Sequence, residues 1–176
     1  MSVQEKYTEE EWFLLQTTPS MVGSAMAVAG NSGIMGTMKE AMANVRSIME
    51  ANAEYPDNPL IAEVAKKPEN RADAKEMASD YRERIMGRMK ENGVKEPEEV
   101  AALTLSDVEQ SCAILAAKED DATALEYKNW LLAIANKVAE AAKEGGFLGF
   151  GGEQVSENEQ AFLAQLNSAL NMDEIV

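Results

Sequence analysis

The 176-residue sequence contains no histidine and a single cysteine, Cys112. Without an imidazole, histidine-based acid–base catalysis, Ser–His and Cys–His nucleophile pairs, and the common zinc and di-iron ligand sets are excluded. One thiol closes no intramolecular disulfide, and Cys112 falls on an apolar helix face with nothing to activate it. An inert buried thiol in a reducing compartment is expected. Positive charge is also scarce, since 16 Lys and Arg stand against 31 Asp and Glu, a net charge of −15. A chain this acidic repels phosphate backbones and anionic lipid, which argues against nucleic-acid binding and against peripheral membrane contact. The N-terminus has neither a basic stretch nor an apolar run directly after it, so no secretory signal is expected and the cytoplasm is the default compartment.

Aromatic residues make up only 6% of the chain, whereas Met occurs 11 times and Ala recurs throughout. Ala and Met favour helices over strands, and no alternating run of β-branched residues is long enough for a strand. The expectation is an all-α, single-domain bundle of about seven to eight helices spanning residues 1–176. Unbroken apolar runs are missing as well. Trp12 to Met38 is free of charge for 27 residues, but Pro19, Asn31, six Ser/Thr residues and four glycines interrupt it. It reads as a tightly packed helix pair rather than a transmembrane segment, with Gly23, Ala27 and Gly30 allowing close approach.

What the chain does have is a near-duplication of pattern. Trp12-Phe13-Leu14-Leu15 leads through small residues to Gly30, Gly33 and Gly36, with Ile34 and Met35 between the last two. Trp130-Leu131-Leu132 leads through alanines to Gly145, Gly146, Gly149, Gly151 and Gly152, with Phe147, Leu148 and Phe150 among them. Segments 8–54 and 121–172 therefore predict two pseudo-repeated helix–Gly-loop–helix hairpins.

Three Ser/Thr-x-x-Glu boxes, beginning at Thr8, Ser106 and Ser156, predict helix starts. Pro19 predicts a break or a new first turn, Pro56 and Pro59 a stop, and Asn92-Gly93 a helix end. Residues 69–91 are densely charged with a narrow stripe of Met77, Tyr81, Ile85 and Met89. Tyr127, Leu131, Ile134 and Val138 follow a +4, +3, +4 rhythm, which predicts a central helix. Arg82, Arg84, Arg88 and Lys90 concentrate positive charge on one helix, while residues 144–176 hold six acidic side chains and no Lys or Arg. Internal pairing of that acidic end with the basic helix is the expected use of the asymmetry, with a head-to-tail assembly as the alternative.

Candidate sites are few. The glycine loop 145–152 is compatible with a compact connection, with a backbone nest for an anion, or with a docking tip made by Phe147, Leu148 and Phe150. Ile34 and Met35 are the corresponding partner-contact candidates of the first loop. Glu144, Glu153, Glu157 and Glu159 cluster around the last loop without EF-hand spacing, and solvation or capping accounts for them. Ala141-Ala142-Lys143-Glu144-Gly145, then Val155-Ser156-Glu157-Asn158-Glu159, then Leu163, Leu166 and Leu170 resembles one hairpin of the tellurite-resistance TerB-like helical domains. The family's Asp is Glu144 here, and the loop 146–154 is longer. The resemblance implies an all-helical cytoplasmic domain with Glu144 and Glu159 as metal contacts.

No nucleophile–base pair or cofactor motif is present, so the residues themselves predict no catalytic residue, cofactor or metal site. The reading is a non-enzymatic cytoplasmic interaction or scaffold protein, stress-related if the resemblance holds, contacting a protein partner or a second copy. The alternative is a helical protein that binds an apolar small molecule or lipid in a Met-rich core. A carboxylate-only enzyme stands third.

Overall fold

The computed structural model describes residues 2–30, 46, 48, 50, 53–143 and 156–172. It is all-helical, with no strand among the described residues. A 3-10 turn at Val3–Lys6 precedes α1 (Glu9–Gly30), α2 (Pro59–Val64), α3 (Arg71–Glu91), α4 (Pro97–Lys118), α5 (Asp121–Lys143) and α6 (Glu157–Ala169). The two glycine loops of the sequence pattern, apart from Gly30 at the end of α1, lie outside the described residues. So do Ile34, Met35, Phe147, Leu148, Phe150 and Glu144.

Two of the predicted helix boundaries are absent among the described residues. The first is at Pro19, which sits inside α1 rather than at a break. A proline there removes the N–H that would bond the Leu15 carbonyl four residues earlier. The Tyr127 hydroxyl of α5 takes over, donating to the Leu15 carbonyl at 2.6 Å. Just before the lesion, Thr17 donates to the Phe13 carbonyl and Thr18 to the Leu14 carbonyl, both at 2.8 Å. A neighbouring helix thus repairs the one orphan acceptor, and the helix runs on.

The second absent boundary is at Ser106. That residue lies in the middle of α4, whose true start is Pro97 with Glu99 folding back on the Lys95 and Glu96 amides. The Ser106-x-x-Glu109 spacing therefore caps nothing. The other two boxes behave as expected. Thr8 and Glu11 exchange bonds at the start of α1, and Ser156 and Glu159 do so at α6.

α1 packs chiefly against α4 and α5, and α6 closes on all three. Their shared core holds Trp12, Leu15, Met26, Leu115, Trp130 and Leu166. The predicted stripe of α5 is wholly inside, since Tyr127, Leu131, Ile134 and Val138 have no exposed surface, and Ala135 and Ala139 bury a second flank. Each fully buried Leu, Ile or Val of the stripe contributes roughly 1.5–3 kcal/mol of transfer free energy. Both tryptophans join this one cluster, each beside a tyrosine: Tyr7 lies 5.7 Å from Trp12 and Tyr127 lies 5.6 Å from Trp130.

The N-terminal turn is tied to the α4–α5 corner. Lys6 pairs with Glu119 at 2.8 Å, Tyr7 donates its hydroxyl to the same carboxylate, and Lys118 reaches both Glu11 and the Lys6 carbonyl. Glu119 is nearly enclosed by these partners, so the corner is a closed polar knot.

Candidate interaction surface

α3 differs from every other long helix described. None of its 21 residues is buried. Local signals mark both its ends: the Asn70 side chain accepts from the Ala72 and Asp73 amides at 2.8 and 3.0 Å. At the far end Gly93 adopts φ +71°, and the Gly93 and Val94 amides bond the Lys90 and Met89 carbonyls. That pair of bonds is a Schellman closure, which needs a residue free to be left-handed at Gly93.

A few side chains hold α3 to the body, and most of them are polar. Tyr81 meets Phe13 of α1 edge to face at 6.2 Å. The Arg84 guanidinium lies 3.9 Å from the centre of the Phe13 ring and 3.5 Å from the Glu9 carboxylate. Arg88 forms an ion pair with Asp107 of α4. Asp107 has only 2% of its side chain exposed against 30% for Arg88. Burial pushes the Asp107 carboxyl up from its ordinary value, with the Arg88 guanidinium pulling the other way. Arg88 Nε is buried with no hydrogen-bond partner, so the pair is held by one edge of the guanidinium.

The expected stripe of α3 accordingly lies against the body, with Tyr81, Ile85 and Met89 half-covered and Met77 left 37% exposed. Met86 points away and is 62% exposed, more than any other large apolar side chain described. The ion pairs of this helix run to Glu9 and Asp107, and none is made to Glu157 or Glu159 among the described residues. Among the described residues, then, the basic helix reaches other helices through ion pairs to α1 and α4.

Other sequence candidates resolve as follows. Cys112 is buried and its thiol is pushed up by that burial, as an inert thiol should be. Glu159 is buried at the head of α6, where its carboxylate accepts from the Ser156 amide at 2.7 Å. Among the described residues no three His, Cys, Asp or Glu side chains gather where they could hold a metal ion. By length and composition Glu99–Lys118 could cross a bilayer, and here its apolar face lies against α1. Asp107 was hidden from the sequence by its place in a Ser-x-x-Glu box. The signal for Arg88 was the basic run it belongs to. No known family, curated protein or solved structure matches this chain.

Proposed function

We propose that this chain is a non-enzymatic interaction or scaffold protein of the cytoplasm, and that the outward face of α3 is its working surface. The observation that carries the reading is a helix of 21 residues with none buried. At 1.5 Å per residue it is about 31 Å long, and ordering it costs roughly 1–2 kcal/mol per residue in backbone entropy. Helices in soluble domains usually offset that cost by burying a wide apolar stripe, whereas α3 only half-covers the narrow stripe of Tyr81, Ile85 and Met89. The exposed Met86 adds an adaptable apolar contact of the kind found at recognition surfaces.

A photo-crosslinking amino acid placed at Met86 in the full chain tests this in cells, with the exposed Ala117 of α4 as control. Adducts to protein from position 86 and none from position 117 are expected. No adduct at 86, or equal adducts at both positions, refutes the reading.

A further inference from the structure

We propose that the partner of α3 is the same helix of a second copy, lying parallel to it about a two-fold axis. The proposal rests on the interaction reading above and names the occupant of that surface. Its basis is the arrangement of charge around the helix. With about 100° per residue, positions seven apart fall nearly in line. Ala72, Ser79 and Met86 form the outward line, and all three are exposed. Arg71, Lys75 and Arg82 lie along one side of that line, and Asp73, Glu76, Asp80 and Glu83 along the other. All of these are exposed. Lys75, Glu76, Arg82 and Glu83 form no ion pair within the chain among the described residues.

A helix that is basic along one flank and acidic along the other is complementary to itself in one orientation only. Rotation about an axis parallel to the helix carries the basic flank of one copy onto the acidic flank of the other, on both sides of the seam. Antiparallel pairing instead sets basic against basic and acidic against acidic. Flanking charges choose orientation in this way in coiled coils, and a two-fold interface must be complementary to itself.

Net charge points to the same place. At −15, two copies repel over most of their surfaces. With Arg84 and Arg88 taken by Glu9 and Asp107, the four basic and five acidic residues left on α3 nearly cancel, so two copies meet there with little net repulsion. Small Ala72 and Ser79 let the backbones approach, and Met86 packs on its own image. With Met86 as the one large apolar side chain of the seam in each copy, the association is weak and salt-sensitive, as small interfaces are.

Cysteine scanning tests orientation and register together. Ser79→Cys and Met86→Cys, made separately in the full chain, should each form a disulfide-linked dimer under mild oxidation, because each sulfur faces its own image. Wild type, with only buried Cys112, should not. Antiparallel pairing predicts self-linking at one of the two positions at most.

Lys75→Glu with Arg82→Glu should weaken self-association at least tenfold by sedimentation. Adding Glu76→Lys and Glu83→Lys should restore it, with helicity unchanged throughout. A chain that stays monomeric at high concentration and fails to cross-link at both positions overturns the pairing. If Met86 then still captures another protein, the interaction reading stands without it. If it captures nothing, both fall.

Discussion

Replacing Tyr127 with Phe removes one oxygen atom and should cost about 1–3 kcal/mol, the penalty for stranding a buried acceptor. The ring remains, so no cavity opens, and the loss falls on the Leu15 carbonyl that Pro19 already deprives of its helical donor. For a chain of this size 1 kcal/mol corresponds to about 2–4 °C, so a fall in Tm of roughly 2–12 °C is expected. The mechanism has a sharper consequence in a double-mutant cycle with Pro19→Ala. The alanine substitution brings back an N–H aimed at Leu15, and the hydroxyl becomes redundant. In that background Tyr127→Phe should cost less than about 1 kcal/mol, giving a coupling of about 1–2 kcal/mol between residues that do not bond each other. The effect of proline on the unfolded chain appears on both sides of the cycle and cancels. Urea unfolding followed by circular dichroism measures all four proteins. Additivity within about 0.5 kcal/mol would refute the idea that Tyr127 repairs the Pro19 lesion.

Arg88→Met strands the enclosed Asp107 carboxylate and should destabilise by about 3–5 kcal/mol. Asp107→Asn should cost less, because Arg88 is 30% exposed and can turn to water; urea unfolding giving the opposite order would be incompatible with this account. Asp107 also has a pH signature. Its native carboxyl is raised above 3.8 by burial, so the native state binds that proton first. Its contribution therefore favours folding as pH falls from the raised value toward 3.8 and opposes folding above that window. Asp107→Asn should lose this acid-side gain, and parallel stability–pH curves for the two proteins would contradict it. At the last helix, Ser156→Ala removes the acceptor for the Glu159 amide and should cost about 0.5–2 kcal/mol; an unchanged melting temperature would show that the cap contributes nothing.

Periodicity and capping made much of the bundle legible. The stripe Tyr127, Leu131, Ile134 and Val138 is the buried face it promised to be, and Thr8, Asn92-Gly93 and Ser156 mark real helix ends. The two false boundaries arose for different reasons. Pro19 is excused by a hydroxyl 112 positions beyond the carbonyl it satisfies, and no local rule contains that bond. Ser106 looked like a cap because its Glu109 spacing fits, yet the helix had already begun at Pro97. The surface was half legible. Dense charge on residues 69–91 gave the solvated helix, but which face turns outward depended on Phe13 and Asp107, side chains of other helices. The partner-contact residues of the two glycine loops fall outside the described residues and gain nothing from the structure.

The placement of the two tryptophans has a consequence for how this protein looks in a spectrometer. Trp12 is 5% exposed, Trp130 is fully enclosed, and neither lies on α3. Tryptophan emission therefore reports the body, whereas far-UV ellipticity counts the 21 residues of α3 in full. If α3 lifts away and unravels while the body stays intact, ellipticity falls and the emission holds. Two probes that disagree are the standard sign of a folding intermediate. In this chain the same disagreement would describe a native body with one helix undocked, and an indole introduced on α3 would tell the two apart.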